Sequence, residues 1–497
     1  MDGNSLFIIA STVVIVLAIA KFLALRKSYP TGTEWPAGPK TLPLIGNLHQ
    51  LWGDLFHVVL ANLAKVHGGV FTIWLGSWNP VIIVSDVNSA REVLLTRSSD
   101  YSARNYPGYL TVLSEGNDSI NGSDCGPFWH NLRKGLTSGA LNPLYVTSQS
   151  HLQERDMQNL IKSMQENASR ENGVIKPLDY VKKEAIRLLN RTIFGQDFSN
   201  DEDFIVGIHH TVHHLISIGG FANLADAFKI GEYVPRHRRY IRGLYDVGEQ
   251  AAKLILPHIA SKPPTNSYLH FLKSQDFSED VTVSLILEVF GFATDSIAST
   301  IVWALTFLVR EQKIQEKLYC EIKEVTGGTR PVKIADLNKM SYLKAVVKET
   351  IRMKPLGPMA IAHKATKNTS LMGRKIDKGT PVMVNIYAIQ HNSEVFPEPY
   401  KFIPERFLSD VNSDGSLGDR EAMERSYLAF GAGMRICAGM DIAKLSISFG
   451  IASLVNEFKW DCVSDGKLPD VAEDLSLILL IKNPLEARIT PRVDYSY

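Results

Sequence analysis

Residues 429–445, AFGAGMRICAGMDIAKL, set Cys437 on a glycine-shaped loop that runs into an apolar segment, with Arg435 two residues before the thiol and Gly439 two after it. Three chemistries suit a cysteine so placed. A nucleophile would need a base, and the nearest histidine in sequence is His391. A packed, inert thiol is the ordinary fate of an isolated cysteine, but it has no use for the flanking glycines and arginine. A metal ligand would exploit the turn, because a helix starting at or just after Cys437 aims unpaired backbone N–H groups at the sulfur and stabilises a thiolate. The other cysteines, Cys125, Cys320 and Cys462, lack CxxC spacing, so neither a disulfide framework nor a four-thiolate zinc site is expected.

Other pairs have useful spacing. Glu349 and Arg352, three apart in ETIR, share a helix face and can pair, and Arg406 in PERF can complete a three-member network. On an exposed helix such a pair contributes only about 0.3–0.5 kcal/mol. Trp129 and Arg133, four apart in WHNLR, project together, and taken alone they read as a cation resting on an aromatic ring. Asp295 and Ser296 adjoin in FATDSI; an acid and an alcohol can relay protons through water, although a mid-helix serine commonly bonds to its own preceding turn. His209, His210, His213 and His214 form two i,i+4 pairs, a spacing open to a metal but explained equally by a polar helix face.

The segment FGAGMRICAG matches, at every defined position, the FxxGxRxCxG cysteine loop of the cytochrome P-450 monooxygenases, and WHNLR, ETIR and PERF resemble that family's WxxxR, ExxR and arginine-bearing segments in order and spacing. The resemblance covers residues 34–491. It implies a mainly α fold with small β-sheets, in which haem b lies between a long central helix and the cysteine-ligand loop and helix. It implies Cys437 as the axial thiolate, pushing electron density toward oxygen to favour O–O cleavage. Phe430, Gly431, Gly433, Arg435 and Gly439 would shape the cofactor loop, while Trp129, Arg133 and Arg435 would meet the haem propionates. Glu349, Arg352 and Arg406 become a buried structural network, and Asp295 and Ser296 the catalytic proton-delivering pair. The oxygen-activation stretch departs from the family pattern at Phe292, Ala293 and Ser296, where a small residue, a glycine and a threonine are usual.

Longer stretches, among them VKETIRMKP and NEFKWDCVSDGKLPD, are similar to a plant branch that oxidises benzylisoquinoline-type alkaloids. The closer likeness is to its phenol-coupling members, so intramolecular carbon–carbon coupling is the leading expectation, with methylenedioxy-bridge formation on a benzylisoquinoline or protoberberine as the alternative. A haem protein without turnover is the reading from another class, and the retained Asp295 and Ser296 speak against it. The resemblance further implies O2, an alkaloid substrate and an NADPH-cytochrome P-450 reductase that supplies electrons. It puts pocket segments at residues 106–121, 356–361 and 477–479, where Glu115 and Asp118 are acids available to a substrate amine.

These residues need a large frame and an address. The 497 residues are 45% hydrophobic with a formal net charge of +1, which provides an ample core and excludes charge-driven nucleic-acid binding. Residues 6–25 supply about the 20 mostly apolar residues a membrane helix needs, uncharged up to Ala20, and Lys21, Arg26 and Lys27 lie toward the C-terminal end. The expected organisation is a membrane anchor over residues 1–27, a proline-rich hinge over 28–46 and a haem-thiolate domain over 47–497. The anchor crosses the endoplasmic reticulum membrane once and leaves the catalytic domain in the cytosol. Five Asn-x-Ser/Thr sequons, at Asn117, Asn121, Asn167, Asn190 and Asn368, then go unused. A second apolar run, residues 285–309, contains Glu288 and Asp295, and each acid would cost about 2.5–3.5 kcal/mol at a bilayer centre, so a buried core helix is expected there.

Overall fold

The computed structural model describes residues 29–104, 118–196, 201–219, 235–260, 263–410, 412, 414–464, 466–476 and 478–492. The expected anchor and most of the first pocket segment, including Glu115, lie outside these residues. The hinge is described from residue 29 and is fastened to the body: Glu34 N–H donates to Lys375 O (2.8 Å), and the Thr33 and Thr380 hydroxyls bond at 2.7 Å.

The elements used below run in order through α1 (Phe56–His67), β1 (Val70–Trp74), β2 (Pro80–Val84), β3 (Ala103–Arg104), α2 (Pro127–Gly135), α3 (Ser150–Arg170) and β4 (Val174–Ile175). Helices α4 (Pro177–Phe194), α5 (Glu202–Gly219), α6 (Pro235–Ile259), α7 (Glu279–Arg310), α8 (Gln312–Thr326) and α9 (Ser341–Met353) follow. The chain continues with β5 (His363–Lys364), β6 (Pro381–Val384), α10 (Met440–Glu457), β7 (Phe458–Cys462), β8 (Glu473–Leu475), β9 (Leu479–Ile481) and β10 (Ala487–Pro491). Strands pair in the order β1-β2-β6-β5-β3, antiparallel except for β2 with β6, where Ile83 faces Met383. Three further antiparallel units, β4-β10-β7, β8-β9 and a hairpin of Thr369–Leu371 with Arg374–Ile376, complete the small sheets of a helical body.

Helix α7 organises that body. Ser278 caps it, its hydroxyl accepting the Val281 N–H, and Glu279 and Asp280 in the first turn complement the positive end of the helix dipole. Its sequence is apolar nearly all round because it packs against α4, α5, α6, α9, α10 and β7 rather than against lipid. It is the one helix among the described residues long and apolar enough to cross a membrane, and 72% of its most apolar window is buried inside the protein. One apolar cluster joins its C-terminal half to α3, α4, α8, α9 and α10 around the fully buried Trp303 and Trp460; a second joins its N-terminal half to α4, α5 and α6. Burying a large apolar side chain contributes about 1.5–3 kcal/mol, so these clusters hold α7 rigidly across the molecule. Rigidity there fixes whatever chemistry the helix carries.

Candidate functional site

The cysteine loop owes its shape to two glycines. Gly431 and Gly433 sit at φ +70° and +64°, in the left-handed region, and a Cβ on Gly433 would meet Leu94 O at 2.0 Å. The loop closes on itself through Cys437 N–H donating to Phe430 O (2.9 Å), and the Arg133 guanidinium of α2 donates to Ile436 O beside the thiol. Helix α10 starts at Met440, and the Gly439 N–H donates toward the Cys437 sulfur. The sulfur is solvent-accessible at its loop yet crowded by protein on its other sides. Burial pushes the thiol up, and the Gly439 amide and the Arg133 charge offset that only in part. Coordination to a cation would deprotonate it outright.

Helix α7 presents a half-buried stripe that includes Glu288, Phe292, Ala293 and Ser296. Ala293 of α7 and Ala438, the residue next to Cys437, pack on the same apolar cluster. The donor set the loop offers is one sulfur, and no group of three His, Cys, Asp or Glu capable of holding a metal occurs among the described residues. That set suits a flat group that brings its own equatorial ligands and takes a single axial ligand from the protein, as haem does. The histidines of α5 do not converge; His209 lies 3.8 Å from Asp179, and nothing gathers the four.

The adjoining acid and alcohol are separated by the helix turn. Ser296 Oγ, on the open stripe, donates to Ala293 O (3.1 Å), the back-bond typical of a mid-helix serine. Asp295 is almost fully buried on the neighbouring face, where Lys182 Nζ of α4 approaches its Oδ1 at 2.5 Å.

Trp129, Arg133 and Arg435 are brought together as a stack, with Arg435 Cζ 4.6 Å and Arg133 Cζ 5.9 Å from the Trp129 ring. Their polar hydrogens go to backbone carbonyls. Arg435 donates to Ser102 O (2.8 and 3.0 Å), Ile120 O (3.2 Å) and Ser123 O, and Trp129 Nε1–H donates to Ile120 O (2.9 Å). Burial lowers the pKa of both arginines from their usual value.

Glu349, Arg352 and Arg406 have no exposed surface. Glu349 accepts two bonds from Arg352 (2.7 and 2.9 Å) and one from Arg406 Nε (3.1 Å), while Arg352 donates to the carbonyls of Gln390 and Pro399. Of the pocket segments, Leu356 O accepts the Leu479 N–H (2.8 Å), joining the second to the third, and Asp118 is exposed.

Sequence reasoning missed several partners. Lys182 carried one usable signal, a charge on the buried side of an amphipathic helix. His363 carried none: its ring is buried with Nδ1 donating to Tyr101 O (2.7 Å) and Nε2 accepting from Arg104 (3.3 Å), and burial with the Arg104 charge holds it neutral, its pKa down to about 3.

The sequence profile of the cytochrome P-450 family matches residues 36–489. The chain belongs to that family. As a cytochrome P-450 it is an oxidoreductase with haem as cofactor, the group that the donor set fits. It is 63% identical over 492 residues to a cheilanthifoline synthase of Argemone mexicana, with 99% of each chain covered. It is 57% identical over 496 residues to salutaridine synthase of Papaver somniferum (99% and 98% covered), and 52% identical over 497 residues to the (S)-canadine synthase of Coptis japonica (99% and 100% covered). A zebrafish cytochrome P-450 solved with abiraterone superposes with a TM-score of 0.73 at 23% identity, covering 88% of this chain and 99% of that one, which establishes the shared fold.

Proposed function

We propose that this cytochrome P-450 closes a methylenedioxy bridge on a benzylisoquinoline- or protoberberine-type alkaloid. The observation that carries this reading is the order of its relatives: cheilanthifoline synthases of two plants, at 63% and 59% identity, stand above salutaridine synthase at 57%. This favours the bridge-forming side of the branch over the phenol-coupling outcome that the sequence motifs alone put first. Phenol coupling remains the second reading because the salutaridine synthase likeness extends over nearly the whole chain.

Haem held by Cys437 supplies oxidation by O2, with electrons delivered from NADPH through a membrane-bound reductase. The reaction removes one hydrogen from an aryl methoxy carbon and one from the neighbouring phenol and joins that carbon to the phenol oxygen. Both oxygen atoms of O2 leave as water, taking up two electrons and two further protons. The chain's own part is placement and proton supply. Phe292 and Ala293 limit how the substrate can lie beside the cysteine loop, so the phenol stays next to the methoxy carbon it must meet. Ser296 holds and passes a proton at its Oγ. Asp295, fixed by Lys182, sets the charge behind that hydroxyl. Arg133, by binding the Ile436 carbonyl, keeps the Cys437 sulfur in place, and the positive charges of Arg133 and of Arg435, the latter already bonded to backbone carbonyls, would favour haem carboxylates. Glu349, Arg352 and Arg406 hold the chain around the cysteine loop without touching substrate.

Residues 1–27 anchor the protein in the endoplasmic reticulum membrane, 28–46 lead to the body and 47–497 form the catalytic domain, on the same face of the membrane as the reductase. Turnover of benzylisoquinolines and protoberberines bearing adjacent methoxy and hydroxyl groups, followed by proton NMR, tests the reading. A methylenedioxy signal replacing one methoxy signal is expected. Retention of every methoxy group with a new aryl–aryl bond would transfer the chain to phenol coupling, and absence of substrate-dependent NADPH consumption would favour a non-catalytic haem protein.

A further inference from the structure

A cavity of about 30 Å³ lies where α3, α4, α7 and α10 meet. Each helix turns one face to it: Gln153 and Met157 come from α3, Glu184 from α4, Ile297 and Ile301 from α7, and Ser446 from α10. Every lining residue except Ser446 is buried, and most of the wall is apolar. Three polar atoms of that lining, Gln153 Nε2, Glu184 Oε2 and Ser446 Oγ, are nonetheless buried with no hydrogen-bond partner among the described residues. A helical serine or threonine ordinarily returns its hydroxyl to the preceding turn, as Ser296 and Thr300 do on α7. Ser446 does not.

The charged groups around Glu184 are engaged with one another. Arg155 (2.8 Å) and Arg191 both pair with Asp156, and Arg187 pairs with Glu202, while α7 and α10 bring no charged side chain to the lining. Burial and the neighbouring Asp156 raise the Glu184 pKa to about 8, so at neutral pH a carboxylic acid faces the cavity.

We propose that this cavity is a hydration site in which one or two ordered waters bridge Gln153, Glu184 and Ser446, and so join α3 and α4 to α10, the helix that continues from the cysteine loop. Size and chemistry agree. A water needs about 10–15 Å³ of such space and makes about three hydrogen bonds in a protein interior. The lining supplies an amide that donates, a hydroxyl that donates and accepts, and an acid that does both. Without water, all three groups would bear the cost of unmade bonds, and an apolar occupant would satisfy none of them. Ile297 and Ile301 belong to the buried side of α7, and Ile297 is turned about 100° from Ser296, so this water stands apart from the proton relay.

The test uses the detergent-solubilised, haem-loaded full chain. Infrared difference spectra at neutral pH, wild type minus Glu184→Gln, isolate the acid carbonyl band of Glu184. That band is expected at the position of a hydrogen-bonded acid, and Ser446→Ala and Gln153→Leu should each shift it toward the free-acid position with the carbon monoxide spectrum retained. Ser446→Ala removes a single oxygen and decides alone if Gln153→Leu does not fold. Crystals of the same protein pressurised with xenon give the second readout, in which water density within bonding distance of the three atoms and exclusion of xenon are expected. A free-acid band in the native protein, or a band that neither variant moves, would overturn the proposal. So would xenon in the native cavity, or a direct bond between Glu184 and Ser446 with no water between them.

Discussion

Replacing Glu349 with glutamine should unmake the cysteine loop's support while leaving every cofactor-facing residue in place. The carboxylate accepts four bonds, two from Arg352, one from Arg406 and one from the Ile403 N–H, in a site with no exposed surface. Glutamine keeps one acceptor oxygen, points an NH2 at guanidinium donors and removes the negative charge that sits between two buried cations. Removing one partner of a buried ion pair costs about 3–5 kcal/mol, against a total stability on the order of 5–15 kcal/mol. Glu349→Gln should therefore lose most of its carbon monoxide-reactive, Cys-ligated form and release haem at a temperature several degrees lower. Lys176→Ala is the control, because it breaks an exposed pair with Glu486 and should leave stability nearly unchanged. Equal haem occupancy and equal thermal midpoints in the two variants would refute the argument that burial makes this network indispensable.

Lys182→Met strands Asp295 in a dry site and should destabilise the holoenzyme by on the order of 3 kcal/mol, with part regained in Lys182→Met/Asp295→Asn; thermal haem release in the four members of the cycle checks it. Ser296→Ala should raise peroxide released per NADPH consumed more than it raises the substrate dissociation constant, and unchanged coupling would hand the relay to water or a substrate hydroxyl. Burial, with Asp156 adding to it, lifts the pKa of Glu184 to about 8, so the folded protein keeps a proton that the unfolded chain sheds near the ordinary carboxylate value. That stability is present below about pH 4.5 and is lost as pH rises through about 8. Glu184→Gln should accordingly be more stable than the native protein at neutral pH by on the order of 3 kcal/mol and nearly equal to it near pH 4.5, as denaturation at the two pH values would show.

What the sequence disclosed were features whose partners are near in the chain or whose composition admits one reading. The glycines, arginine and cysteine of the 430–439 loop lie within ten residues, and the structure gives that loop the positive φ angles its glycines allow. Acidic residues inside the 285–309 run marked a core helix, and the helix is buried. Partner identity was not legible. Glu288 entered the sequence argument only as a charge unwelcome in lipid, yet it binds a loop with no periodic pattern. Asp295 and Ser296 read as a unit because they adjoin, whereas a helix turns about 100° per residue and sends them to different surroundings, one to Lys182 and one to the open stripe. Arg435 read as a partner for a haem carboxylate, and the carbonyls that also hold it were not legible because they belong to residues more than three hundred positions earlier. The reaction outcome lay beyond motif reading altogether, since bridge formation and phenol coupling use the same cysteine loop and oxygen-handling helix.

The most direct test of the central claim follows the methoxy group itself. An alkaloid carrying a trideuterated methoxy group beside its free phenol is turned over in membranes with reductase, NADPH and O2, and the product is weighed by mass spectrometry. Bridge formation predicts a product that has lost one deuterium from that carbon and one hydrogen from the phenol, with two deuteriums retained and no oxygen gained from O2. A product that keeps all three deuteriums while losing two ordinary hydrogens would contradict the account and establish phenol coupling instead.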